Sequence, residues 1–262
     1  MDKAKLLDSI SADAEERMLL ARVLDRREQC LRRNAPTHIG FLSPAQCAAA
    51  QQLLTQCGAR DGFAFHGGFD DAQRKMLFFL PEWQEEPDID NTICHISSKI
   101  YETESVSHRD VLGSLMGMGV ARETIGDILV TENTVHVLAA SEVADFLLTS
   151  WDSAGRVHLA PQLAALDALP HIAPRVREIR DTVAALRLDA VIASGFSLSR
   201  ARAAEIVEAG AVQLNYRTCA KGTQTVCEGD TISVRGMGKF TVAQIGGTTK
   251  KGRVFITLHR YI

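Results

Sequence analysis

Apolar positions recur at helical spacing from Ala12 to Arg32, which predicts a long amphipathic helix near the start of the chain. Ser43-Pro44-Ala45-Gln46 predicts a second helix start, with Ser as N-cap, Pro at the first helical position and Gln placed to close a capping box. That helix is expected to run to Cys57, with Gly58 as its left-handed stop. Two short runs, Gly62 to His66 and Lys75 to Leu80, read as a hairpin around Gly67 to Asp71. Pro81 to Pro87 is a polar break.

The next block alternates between the two periods. Ile93 to Tyr101 reads as a strand, and Ser107-His108-Arg109-Asp110 opens a capped helix ending near Gly117 or Gly119. A helical turn at Ala121 to Glu123 precedes strands at Asp127 to Val130 and Val135 to Ala139, joined by Glu132-Asn133. Ser141 is expected to cap a helix reaching about Ser150, and Arg156 to Leu159 a last strand. This βαββαβ order is the split βαβ arrangement. It occurs in RNA-recognition sheets and in many enzymes, so it does not decide function alone. Neither central strand carries an aromatic for base stacking, and stacking on this sheet is not expected.

Pro161 to Pro174 reads as a linker into the final block. There a helix from Leu188 to Ser194 is stopped by Gly195. Ser197 or Ser199 caps another helix, ending at Ala209-Gly210 with Ala203, Ile206, Val207 and Gly210 on its buried stripe. Strands follow at Val212–Leu214, Thr231–Arg235, Phe240–Ile245 and Val254–His259. The expected fold class is α+β and multi-domain: an α+β domain over 1–88, an RNA-recognition-like domain over 89–163 and a basic module over 180–262.

Composition changes the picture through charge. The 262 residues include 29 Lys+Arg and 32 Asp+Glu, but from His171 onward 14 Lys+Arg face only 7 Asp+Glu. The tail is therefore +7, and the first 170 residues, with 15 against 25, are −10. Such asymmetry suits a polyanion-binding end on an acidic protein, or else a solvated basic face. At 46% hydrophobic residues the chain can bury cores, and no stretch approaches the roughly 20 apolar residues of a membrane span. The charged start lacks a signal-peptide core, and six Cys without a CxxC pair indicate neither zinc nor a disulfide framework. A cytoplasmic setting is expected.

The basic residues near the last two helices are the candidate ligands. Ser199 stands where helix N–H groups and a hydroxyl can hold a phosphate. Arg200 and Arg202 lie about 200° apart around the axis, so both cannot face one partner, and Arg202 can instead pair with Glu205. Arg187, Arg217 and Lys221 cluster with them, and Arg235 and Lys239 flank Gly236-Met237-Gly238, which suits close backbone approach to phosphate or a plain hairpin turn.

Four segments, Arg187 to Gly195, Ser199-Arg200, Ala209 to Asn215 and Glu228 to Val234, together resemble the αL RNA-binding module named for the fourth small-subunit ribosomal protein. Tyr216 departs from it, since the module usually has Gly after Asn. Ser107 to Gly119, Arg122 to Leu129 and Ser233 to Phe240 are similar to segments of the YlmH family. That resemblance implies a small N-terminal domain, an RNA-recognition-like middle domain and a terminal αL module. It also implies a non-enzymatic protein acting on large ribosomal subunits that carry stalled peptidyl-tRNA, with a link to cell division.

The expected function is thus RNA binding, to rRNA or tRNA on the large ribosomal subunit, by a cytoplasmic monomer without catalytic residues, metal, cofactor or membrane contact. The phosphate contacts are expected at Arg187, Ser199, Arg200, Arg202, Arg217, Lys221, Arg235 and Lys239. Two alternatives stand beside it. Arg187-Leu188-Asp189 is similar to the catalytic Arg-Leu-Asp of pseudouridine synthases, which would make the protein an RNA-modifying enzyme. The acidic first half could instead serve a division-linked protein partner. No Gly-rich loop suits a nucleotide, the eight His lack metal-ligand spacing, and Cys219 and Cys227 are expected as free thiols.

Overall fold

The structure is a computed structural model describing residues 3–101, 105–170 and 176–261. The chain divides into two compact units, Met1–Ile172 and Ala173–Ile262.

The first unit begins with α1 (Lys3–Ile10), α2 (Ala14–Arg33), β1 (Thr37–Leu42), α3 (Pro44–Gln56), β2 (Phe63–His66) and β3 (Lys75–Phe79). Asp13 caps α2 through the Glu16 N–H, and acidic first-turn and basic last-turn residues complement the helix dipole. The capping box at Ser43 forms as the sequence indicates, and Gly58 takes φ 73° beyond α3. The sheet is antiparallel in the order β1-β3-β2. β1 is an addition to the sequence reading: six residues between Pro36 and Ser43, burying Ile39, Phe41 and Leu42. The helices close over Leu20, Val23, Leu53, Leu54 and Leu77.

The unit continues with α4 (Ile89–Thr92), β4 (Ile93–Lys99), α5 (His108–Gly117), β5 (Ile125–Val130), β6 (Thr134–Ala140), α6 (Ala144–Ser150), β7 (Ser153–Ala154), β8 (Val157–His158) and β9 (Gln162–Ala164). Its second sheet is antiparallel in the order β5-β6-β4-β9. Two expectations are corrected here. Ser141 caps nothing: a 3-10 turn occupies Ser141–Val143, and α6 starts at Ala144 without a side-chain cap. The expected strand at 156–159 is only β8, paired with β7, while the fourth strand of the sheet is β9, inside the stretch read as a linker. Residues 171–174 of that linker lie outside the described residues.

The two sheets share a core of Phe41, Met76, Phe78, Ile93 and Leu138. The Asp127 carboxylate accepts the backbone N–H groups of Gln73 and Arg74 at 2.6 and 3.0 Å, joining the first block to the second.

The second unit comprises β10 (Val176–Val183), α7 (Leu188–Gly195), α8 (Arg200–Glu208), β11 (Val212–Leu214), β12 (Arg217–Thr218), β13 (Thr231–Val234), β14 (Gly238–Thr248) and β15 (Val254–Tyr261). One antiparallel sheet holds all the strands in the order β10-β15-β14-β13-β11-β12. β10 and β12 are additions to the sequence reading. Leu188, Val191, Ile192, Ala203 and Val207 bury one sheet face with Ile232, Phe240, Val242, Ile256 and Leu258. Gly195 is needed for a different reason than a helix stop. A Cβ there would sit 2.5 Å from a Phe240 ring carbon, so its absence lets α7 lie directly on β14.

Among the described residues no helix is long and apolar enough to cross a membrane, and no His/Cys/Asp/Glu group is placed to hold a metal. All six cysteines are free.

Candidate nucleic-acid interface

The first turn of α7 is tied down by the loop after β12. The Leu188 and Asp189 N–H groups donate to the carbonyls of Gln224 (2.9 Å) and Gly222 (3.1 Å), so two of the helix's orphan donors are already satisfied. This brings Gly222 against the Asp189 side chain, where a Cβ would meet its carboxylate at 3.3 Å. Lys221, exposed, is thereby carried to the N-terminal end of α7.

Asp189 is buried, its side chain 8% exposed, and it organises the cations around it. Arg187 grips it with two bonds, Nε to Oδ1 at 3.2 Å and Nη2 to Oδ2 at 2.6 Å. Arg200 reaches the same carboxylate from α8, Nη2 to Oδ1 at 3.5 Å. The hydrogen bonds and charge of Asp189 raise Arg187 above the ordinary guanidinium value, so it stays charged. One carboxylate against two guanidiniums leaves a net positive charge, and both arginine side chains remain about half exposed.

Ser199 serves as the α8 N-cap, its hydroxyl oxygen accepting the Arg202 N–H at 3.1 Å. Ser197, the other candidate cap, instead takes φ 55°. The Arg202 side chain turns to Glu205 at 2.9 Å, both exposed, which is the i, i+3 pairing open to it from the sequence. The structure therefore brings Arg187, Arg200 and the Lys221 loop together and leaves Arg202 outside that group.

A second group lies at the β13–β14 turn. Gly236 and Gly238 take φ 77° and 94°, and Val234 pairs with Gly238 across the turn. The Arg235 N–H donates to the Ala211 carbonyl at 3.0 Å, drawing the turn against the end of α8. Arg235, Lys239, Ala211 and Thr218 line a cleft of about 470 Å³. Arg217 immediately precedes Thr218 on β12. The Lys239 ammonium sits 4.6 Å above the Tyr261 ring, a partner the sequence reading did not supply. Arg260, also outside that reading, lies 4.8 Å over Phe196.

The hairpin tip between β11 and β12 is settled by its backbone. Asn215 and Tyr216 adopt φ 50° and 65°, the two left-handed residues of a tight hairpin turn, although Tyr stands where Gly is cheaper. Asn215 steadies it, donating to Asp230 at 2.7 Å and accepting the Thr231 N–H at 2.9 Å.

Known proteins resemble the chain along most of its length. Residues 85–166 match the family profile described as "Putative RNA-binding domain in YlmH", and residues 186–232 match the S4 domain. The "Ribosome-associated protein quality control protein P2" of Bacillus subtilis (strain 168) is 34% identical over 226 residues, covering 84% of this chain and 85% of that protein. A solved structure, "Cell division protein ylmH from Streptococcus pneumoniae", aligns with TM-score 0.50 at 18% identity, over 60% of this chain and 95% of the other. At that identity the likeness concerns the fold alone.

Proposed function

The chain belongs to the YlmH family, and from that membership we propose a non-enzymatic protein that binds rRNA or tRNA at the large ribosomal subunit to rescue stalled translation. The observation that carries this reading is the convergence of Arg187 and Arg200 on Asp189, within the residues that match the S4 domain. Guanidiniums held at one edge present their other donors in fixed directions, the geometry that phosphate recognition uses. Arg217, Lys221, Arg235 and Lys239 extend the cationic surface. Ser199 acts by shaping the start of α8, and Arg202 contributes charge at its margin.

Residues 1–88, 89–163 and 180–262 are read as three functional domains, the middle one of RNA-recognition type. The protein works as a cytoplasmic monomer without metal or cofactor. The enzymatic alternative is weakened by Asp189 itself, whose buried carboxylate is occupied by two arginines.

Sedimenting the full-length protein with ribosomes from its cells tests the proposal. The protein should travel with the large subunit, and Arg187→Glu or Arg200→Glu should reduce occupancy tenfold or more. Arg202→Glu should cost far less, because Arg202 already faces Glu205. Unchanged occupancy in the first two variants contradicts the proposal.

A further inference from the structure

The acidic first part of the chain contains a cationic groove. It encloses about 550 Å³ between α2, β1, the start of α3 and the turn at 122–124, with Arg22, Arg74 and Arg122 in its walls against Glu15 and Glu123, beside Met18, Leu19 and Phe41. Residues 1–170 carry −10 overall, whereas in this concavity three guanidiniums outnumber two carboxylates.

Arg74 donates from Nε to the Ile125 carbonyl at 3.0 Å, and from Nη2 to those of Phe41 at 2.8 Å and Arg122 at 3.3 Å. Arg122 reaches the same Ile125 carbonyl from Nη1 at 2.5 Å. Two cations therefore meet at one oxygen. Burial first, then the charge of Arg122, brings Arg74 down to about 10, and burial lowers Arg122 as well. Glu123 is paired within the groove wall with Arg22 at 2.8 Å and Asp127 accepts backbone N–H groups, which leaves Glu15 as the remaining lining carboxylate against Arg74 and Arg122. An arginine has five N–H donors, so these carbonyl bonds leave both guanidiniums with donors to spare.

We propose that this groove binds the phosphate of a nucleotide, with Arg74 and Arg122 on the phosphate and the exposed Met18 against the base. The volume falls within the roughly 300–1,000 Å³ typical of small-ligand sites. A phosphomonoester brings up to two negative charges, matching two guanidiniums better than a single carboxylate does. A free mononucleotide and the phosphorylated end of an RNA offer the same chemistry. The site is built from residues of the first unit alone and stands whether or not the α7–α8 surface binds RNA.

Titration calorimetry at fixed ionic strength tests it, using full-length protein carrying Arg187→Glu and Arg200→Glu to silence the other surface. The probes are adenosine and uridine 5′-monophosphates, their nucleosides, and one oligoribonucleotide with either a 5′-phosphate or a 5′-hydroxyl. The phosphorylated probes should bind at least tenfold tighter than their phosphate-free counterparts. Arg122→Gln should remove that preference. Should Arg122→Gln unfold, Met18→Glu carries the test, because Met18 is 71% exposed and a carboxylate there repels phosphate without breaking a backbone bond. Binding of the monophosphates assigns a free nucleotide, and binding of the phosphorylated oligonucleotide alone assigns an RNA end. Absence of any phosphate preference, or equal binding by Met18→Glu, overturns the proposal.

Discussion

Asp189 shows how one residue can look chemical in sequence and prove organisational in structure. Its place in Arg187-Leu188-Asp189 matched a catalytic pattern, yet its carboxylate is buried and spent on two arginines. No local rule could supply the Arg200 contact, which crosses from one helix to the next. The histidines carry a comparable lesson. Their spacing suggests nothing, but the pairing of β4 with β6 sets His95 against His136, with 3.0 Å between Nε2 and Nδ1 and the other His95 nitrogen on the Ala165 carbonyl. Burial first, then the charge of His95, lowers the proton affinity of His136. The folded state thus binds fewer protons than the unfolded chain once pH enters the histidine range, near 6.5. Stability is full above that range and is lost as pH falls through it. His38 and His66, also lowered by burial, act with the same sign. The melting temperature should therefore drop between pH 7.5 and 5.5, by less in His136→Asn; a flat profile in the parent protein would contradict this.

Elements bounded by local chemistry were legible, and elements defined by their neighbours were not. The capping boxes at Ser43 and Ser107 and the glycine beyond α3 mark helix ends within a few residues of sequence, and those helices form as read. β9, β10 and β12 escaped because each is short or carries charged residues, and becomes a strand only through its partner; β1 has six residues and none of them Lys, Arg, Asp or Glu, but Gly40 interrupts its apolar run. Gly195 illustrates a right position with an incomplete reason. The residue ends α7, but the tight constraint is the Phe240 ring beneath it, itself fully buried and unable to yield. Gly195→Ala is expected to cost about 2 kcal/mol through overpacking, even though Ala is the better helix former. Guanidinium chloride unfolding would show it as a lower midpoint at unchanged slope. An unchanged or raised midpoint would mean that α7 can lift off the sheet freely.

For the whole molecule, the division of charge read from sequence coincides with a division of structure. The +7 segment begins within two residues of the boundary at Ala173 and occupies the second unit, which has its own core. The first two expected domains, by contrast, fall in one unit, joined by a shared core and by Asp127. That joining was hidden because it depends on β1, which the sequence pattern did not reveal. Of the eight candidate phosphate contacts, the clustering of positive charge was readable. The subdivision into an Asp189 group, a cleft group and a marginal Arg202 was not, because it is decided by tertiary partners.

The central claim is that fixed cations on the second unit grip a sugar-phosphate backbone, and the salt dependence of RNA affinity tests it most directly. Log affinity for large-subunit RNA should fall linearly with log salt concentration. The slope should become shallower by about one for each of Arg187→Ala and Arg200→Ala. A slope near zero, or one that both variants leave unchanged, would contradict the account.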